Sequence, residues 1–194
     1  MQTVYWIGGG SGSGKSTVAR RLAAANDLRV YDTDRVMPEH AARLTAEEAP
    51  MLAKFKGWDM DQRWALRTPQ EMLDTFHWFR GEGFDLILDD VRQLPAGSSA
   101  IVEGFRVLPQ LVAPYLGEHS RGVWLLPTPE FRRAAMESRG TLWDIPNKTG
   151  DPERALRNLL ERDHMFTECL TGFHPSPTRR AVAGLGRRAP VGGM

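Results

Sequence analysis

The chain has 194 residues, of which 41% are hydrophobic and 25% charged, and its formal net charge is +1. This composition is typical of one globular domain with a sizeable core, and it excludes a strongly basic nucleic-acid binder and a membrane-spanning protein. The single cysteine, Cys169, excludes an internal disulfide framework and favours a reducing, cytoplasmic environment.

The first elements in chain order are a strand, a glycine-rich loop and a helix. Residues 3–7 are β-branched, aromatic or apolar, which is typical of a buried parallel strand. After the loop, Val18, Leu22 and Ala25 recur at helical spacing. Residues 28–31 form the next predicted strand, which ends at two aspartates.

The remaining pattern alternates between helices and strands. Helix is predicted over much of 45–80 and over 84–94, 130–138 and 153–170, and strand over 99–102 and 122–126. This alternation predicts an α/β fold, a three-layer α/β/α arrangement around a parallel sheet of four to five strands.

Residues 9–16 read G-G-S-G-S-G-K-S and match the phosphate-binding P-loop pattern G-x-x-x-x-G-K-[ST]. The glycines let backbone N–H groups face a phosphate, Lys15 can reach the β- and γ-phosphates, and the Ser16 hydroxyl can ligate Mg²⁺. The pattern therefore predicts a nucleoside triphosphate, ATP, with Mg²⁺. The predicted cofactor-binding residues are Gly9, Gly10, Ser11, Gly12, Ser13, Gly14, Lys15, Ser16 and Thr17.

Carboxylates follow two predicted strands, with Asp32 and Asp34 after the second and Glu103 after the strand at 99–102. Ligands bind at the carboxyl ends of parallel strands, so we expect these groups near the P-loop. Another interpretation is that each carboxylate only caps a following turn or helix.

The P-loop, the segment V-Y-D-T-D at 30–34 and the segment I-V-E-G-F-R at 101–106 resemble those of the small P-loop kinases. This group includes shikimate, gluconate and adenylate kinases and chloramphenicol phosphotransferase. The resemblance implies that Asp32 lies on the Mg²⁺ side and that Asp34 orients or deprotonates the acceptor hydroxyl. It also implies that Glu103 holds a Mg²⁺-bound water or orients the substrate, and that Arg106 faces the acceptor.

The resemblance implies an acceptor-binding helical insert at about 35–80 and a helical lid at about 139–152. Arg35 and Trp64 are the candidate acceptor contacts in the insert, although Trp64 also fits a core position. Arg139, at the foot of the lid, is the candidate that stabilises the transferring phosphate.

Residues 1–170 are predicted as the kinase domain, and 171–194 as a Gly/Pro/Arg-rich tail that is disordered or loosely docked. Residues 181–185 make a poor fifth strand, and the tail's four arginines lack interleaved aromatics, so nucleic acid is not the expected partner. The sequence thus predicts a kinase with an alcohol-type acceptor, or alternatively a regulatory protein that binds nucleotide without productive transfer. The acceptor's identity and the oligomeric state stay open.

Overall fold

The computed structural model describes residues 3–95 and 97–172. Its sheet has the strand order β2-β3-β1-β4, and each neighbouring pair is parallel. The strands are β1 (Val4–Gly9), β2 (Arg29–Asp32), β3 (Ala100–Glu103) and β4 (Ser120–Leu125). The predicted α/β class with a parallel sheet is confirmed.

Helices connect the strands and fill the insert. They are α1 (Lys15–Asn26), α2 (Met37–Arg43), α3 (Pro50–Gly57), α4 (Met60–Trp64), α5 (Pro69–Thr75), α6 (Phe84–Arg92), α7 (Pro109–Val112), α8 (Pro129–Ser138) and α9 (Pro152–Thr171). The sequence did not predict α7, because its four residues are too few to show a period.

Both faces of the sheet are covered, which makes the three predicted layers. On one face, Trp6 of β1 packs with the apolar stripe of α6, in a cluster that includes Ile87 and Val102. On the other face, Ile7 packs with Ala19 and Ala23 of α1. Alternate residues of β1 therefore point into different cores, as the period of a buried parallel strand requires.

The insert consists of α2 to α5, and two of its short helices begin with capping boxes. The Thr68 side chain accepts from the backbone N–H of Glu71, and the Glu71 side chain accepts from the backbone N–H of Thr68. Asp59 and Gln62 make the same exchange at α4, which the sequence did not predict. These caps satisfy backbone donors that helices of five to seven residues otherwise leave open.

The predicted lid lies between α8 and α9. It follows Arg139, turns at Gly140 with a φ of +70°, and contains a short 3-10 turn, Pro146–Lys148. At its far end, the Gly150 N–H donates to Asp61 of the insert at 2.6 Å, so this end of the lid is joined to α4.

In the described residues, β4 pairs with β1 alone and is an edge strand. The possible fifth strand at 181–185 lies outside the described residues, as does the predicted tail from 173 onward. Among the described helices, none is both long and apolar enough to cross a membrane.

Candidate active site

The glycine-rich loop runs from the end of β1 to the first residue of α1. Gly14 occupies the position before α1 with a φ of +87°, in the left-handed region. Gly9 has a φ of +128°, and a Cβ there would lie 2.2 Å from the Leu125 carbonyl oxygen. Only glycine tolerates both positions, so the sequence forces a tight loop against β4 and the N-terminus of α1.

Lys15 lies inside this loop, with 6% of its surface exposed. Its Nζ donates to the Gly10 carbonyl at 2.8 Å. Burial lowers the pKa of Lys15, whereas the nearby charges of Asp34, Glu103 and Asp163 act in the opposite direction. The lysine therefore lies among carboxylates that come from three different parts of the chain.

Glu103 ends β3 next to this lysine and is 2% exposed. The Ser16 hydroxyl donates to its carboxylate, and burial is the main cause that raises the pKa of Glu103. Among the described residues, its Oε2 has no hydrogen-bond partner. A buried carboxylate oxygen without a partner is costly, so this atom points to a ligand that would complete it.

The two aspartates after β2 have different surroundings. Oδ1 of Asp32 accepts from the backbone N–H groups of Asp34 and Arg35, at 2.9 and 3.1 Å. The Asp34 carboxylate accepts from the backbone N–H of Phe105 and from the Thr33 hydroxyl. The Asp34 side chain is exposed to solvent on one side, yet the protein atoms on its other sides raise its pKa by desolvation, against the effect of Lys15.

The residues present fit a nucleotide-bound Mg²⁺. The Ser16 hydroxyl, the free Oε2 of Glu103 and the second oxygen of Asp32 are hard oxygen donors of the kind this ion prefers. The described part of the chain contains no group of three or more His, Cys, Asp or Glu able to hold a metal alone. A magnesium ion here would therefore take further ligands from phosphate oxygens and water.

The sequence predicted that Arg106 faces the acceptor. In the structure its guanidinium instead points into the protein interior, behind the strand ends. Nη2 donates to the Gly83 carbonyl at 2.9 Å, Nη1 contacts His40 Nδ1 at 3.1 Å, and the group stacks 4.2 Å from the Trp78 ring. Arg106 is 2% exposed, and burial lowers its pKa to about 10.

The other two acceptor candidates also have defined places. Trp64 is buried and packs with Met72 of α5 and Ala155 of α9; the guanidinium of Arg162 lies 5.4 Å from its ring. Arg35 is exposed beside Asp34. Trp64 therefore belongs to the core between the insert and α9, which is the alternative that the sequence left open.

Arg139 caps the C-terminus of α8 and is exposed. Its charge is among those that lower the pKa of Lys15, so this lid residue lies on the side of the P-loop lysine.

Two buried groups near the loop were not foreseen there: Arg132, which the sequence indicated only as an arginine of the helix leading into the lid, and Asp163. Arg132 of α8 is 1% exposed and donates to the Thr167 hydroxyl, while its side chain packs on Gly12. Asp163 of α9 is 6% exposed. A signal for Asp163 existed, because this acid stands seven residues after Leu156 and three before Phe166, on the apolar face of its helix.

The fold and the loop define a P-loop type of α/β protein. No family model matches the chain. A segment of 39 residues is 54% identical to a shikimate kinase from Rhodococcus jostii, covering 20% of this chain and 23% of that protein. The match thus spans less than a quarter of its relative, and on that segment it confirms the resemblance to small P-loop kinases.

Solved structures of similar architecture have low sequence identity. They include an uncharacterized protein from Eubacterium ventriosum, with 18% identity, a TM-score of 0.43, and coverage of 87% of this chain and 77% of that one. Shikimate kinase from Acinetobacter baumannii has 13% identity, a TM-score of 0.41, and coverage of 93% and 87%. Deoxyadenosine kinase from M. mycoides has 13% identity and a TM-score of 0.41, with coverage of 86% of this chain and 84% of that one. These likenesses concern the fold alone.

Proposed function

We propose that this protein is an ATP- and Mg²⁺-dependent kinase that transfers the γ-phosphate to a hydroxyl group of a small polar acceptor. The observation that carries the proposal is the convergence of Lys15, Asp34 and Glu103 at neighbouring strand ends. Asp32 pairs with Glu103 in the sheet, the Thr33 N–H donates to the Glu103 carbonyl at 2.9 Å, and both Asp34 and Glu103 act on the pKa of Lys15. A cation for the phosphate beside a carboxylate for the attacking hydroxyl is the arrangement that phosphoryl transfer requires. The 39-residue match to a shikimate kinase supports the same class.

In this proposal, Lys15 exchanges its bond to the Gly10 carbonyl for oxygens of the β- and γ-phosphates. Ser16, Asp32 and Glu103 would hold Mg²⁺, which neutralises charge on the phosphates when bound. The free Oε2 of Glu103 gains its missing partner in that state, either directly or through water.

Asp34 accepts the proton of the acceptor hydroxyl. The Thr33 hydroxyl, at 3.4 Å, and the Phe105 N–H both face its carboxylate and would orient it. A carboxylate whose pKa is raised is a stronger base than an ordinary aspartate. Arg139 approaches from the lid side and stabilises the charge of the transferring group.

The acceptor would bind between Asp34 and the insert formed by α2 to α5. Arg35 is the exposed cation next to Asp34 and is the proposed acceptor contact. Trp64 contributes by packing the insert on α9.

Incubation with γ-labelled ATP, Mg²⁺ and a panel of hydroxyl-bearing metabolites tests the proposal. We expect transfer by the native protein and a loss of at least about 100-fold with Lys15→Ala or Asp34→Asn. Asp85→Asn, a change at an exposed acid of α6 outside the insert and the lid, is the matched control and leaves transfer unchanged.

ATP binding without transfer to any acceptor would contradict the kinase and support the regulatory alternative. Full transfer by Asp34→Asn would instead refute only the role of Asp34 as the base.

A further inference from the structure

Four polar side chains form a chain of contacts behind Asp34. They are Tyr31 at the end of β2, His40 of α2, Asp90 of α6 and Arg106 after β3. The Tyr31 hydroxyl donates to Oδ2 of Asp90. His40 Nε2 lies 3.0 Å from the same oxygen, and Arg106 Nη1 lies 3.1 Å from His40 Nδ1.

The hydrogen-bond partners of His40 determine which of its two ring nitrogens carries the hydrogen. Arg106 carries only donors, so Nδ1 of His40 must accept and is bare. The other ring nitrogen, Nε2, then carries the hydrogen and donates to Asp90. Burial acts to raise the pKa of Asp90, but the hydrogen bonds from Tyr31 and His40 hold that pKa below its ordinary value. Asp90 is therefore the negatively charged end of this row of contacts.

The opposite end of the chain is the Arg106 guanidinium, which joins two backbone segments. Its Nη2 donates to the Gly83 carbonyl at 2.9 Å and its Nη1 approaches the Thr33 carbonyl at 3.5 Å. Thr33 is the residue before Asp34, and Phe105, the residue before Arg106, donates its N–H to the Asp34 carboxylate. Arg106 therefore contacts the backbone just before Asp34 and directly follows the residue whose N–H faces the Asp34 carboxylate.

His40 makes the position of Arg106 depend on the insert. It is fully buried on α2, the first insert helix, and it is the side-chain acceptor that Arg106 meets. Without His40, the buried guanidinium would lose this acceptor and keep two backbone carbonyls and the Trp78 ring, so its Nη1 would be held less tightly.

We propose that His40 is a positioning residue, which holds Arg106 in place and through it fixes the Asp34 carboxylate for the acceptor hydroxyl. Asp90 contributes by keeping the His40 ring in the tautomer whose Nδ1 can accept from Arg106. The inference rests on the proposed kinase function. It also assigns Arg106 to the support of Asp34 rather than to direct contact with the acceptor.

Two amide variants separate this role from a purely structural one. In His40→Asn, the shorter side chain places a carbonyl oxygen near the Nδ1 position and keeps an acceptor for Arg106. In His40→Gln, the longer side chain places a donor near the Nε2 position and keeps the bond to Asp90. Both variants remove a buried ring, so their thermal stabilities serve as the structural reference.

With the acceptor found for the native protein, or with water as the acceptor of the γ-phosphate, we expect His40→Asn to keep kcat within about 3-fold and His40→Gln to lose about 10- to 100-fold. The affinity for Mg²⁺ and ATP stays unchanged in both. Equal losses in the two variants, or a native kcat in His40→Gln, would overturn the inference.

Nitrogen-15 NMR of the native protein gives a second readout that needs no variant to fold. We expect His40 to carry its hydrogen on Nε2 with Nδ1 bare, and a hydrogen on Nδ1 would overturn the network. If the native protein transfers phosphate to neither acceptor nor water, the proposed function fails, and the positioning role fails with it. If the native protein is active but His40→Asn and His40→Gln lose kcat equally, only the inference about His40 fails and the proposed function stands.

Discussion

Gly104 illustrates how one residue can fix the relative position of two segments of the candidate active site. It follows Glu103 directly, has a φ of +149°, and lies so close to Thr33 that an added Cβ would meet the Thr33 Oγ1 at 1.8 Å. Its N–H donates to the Ile7 carbonyl at 3.2 Å, and the Thr33 N–H donates to the Glu103 carbonyl at 2.9 Å. The absence of a side chain at this position lets the ends of β2 and β3 approach each other.

We expect Gly104→Ala to lower the free energy of unfolding by at least about 2 kcal/mol, because backbone strain adds to the clash with Thr33. Chemical denaturation measures the change. Gly57→Ala is the control, since a Cβ at Gly57 would have open space, and we expect it to stay within about 0.5 kcal/mol. A neutral result for Gly104→Ala would show that the two strand ends can separate at little cost.

At the scale of elements, α9 joins the insert to the P-loop. Near its start, Asn158 Nδ2 donates to the Trp64, Ala65 and Arg67 carbonyls at 3.3, 3.0 and 3.0 Å. Further along the same helix, Asp163 lies near Lys15. One rigid helix therefore contacts both the proposed acceptor insert and the proposed phosphate site.

Asn158→Ala removes the donor that these backbone carbonyls share. We expect a loss of about 1–3 kcal/mol in stability, because buried acceptors lose their partner. We also expect faster amide hydrogen exchange over residues 60–67, where the insert would loosen. Asn147→Ala, at an exposed lid position, serves as the control. Unchanged exchange in Asn158→Ala would mean that packing by Trp64 alone holds the insert.

At the scale of the whole molecule, the interior holds several ionisable groups whose charge depends on the folded state. His77 is the clearest, since it is 2% exposed and packs against Phe55 and Trp78. Burial, and after it the positive charge of Arg106, lowers the pKa of His77 to about 3. The unfolded chain protonates this histidine near its ordinary value of 6.5, whereas the folded protein resists protonation.

Stability from this group is therefore complete above about pH 6.5 and is lost as the pH falls towards 3. The slope is about 1.4 kcal/mol per pH unit between these limits, because the unfolded state binds one proton more. Between these pH values, we expect the free energy of unfolding of His77→Phe to change with pH by about 1.4 kcal/mol per unit less than that of the native protein. The raised pKa values of Asp34 and Glu103 make the folded state more stable as the pH falls, which is the opposite effect. Because these two groups are present in both proteins, their effect cancels when His77→Phe is compared with the native protein.

His119→Phe, at an exposed position, controls for the general effect of replacing a histidine. Parallel pH profiles for the native protein and His77→Phe would contradict a neutral buried His77.

Much of the fold was predictable because its signals are local. The P-loop spacing, the apolar runs of β1 and β3, and the caps at Thr68, Thr128 and Asp151 each depend on residues close in sequence. The buried environment of Arg106 was harder to predict, because its partners His40 and Gly83 are 66 and 23 residues away and share no sequence pattern with it. Arg132 beside the loop depends in the same way on how α8 docks.

The sequence alone determined the loop, the alternation of strands and helices, and the carboxylates at two strand ends. Those features follow from hydrophobic period and from residue types that few other conformations accept. The strand ends already predicted Asp34 and Glu103 near the P-loop, but only the tertiary structure decided that Asp163 joins them around Lys15 and that Arg106 is turned inward. The reason is physical, since burial and electrostatic interactions depend on distances between segments remote in sequence, which composition and periodicity do not specify.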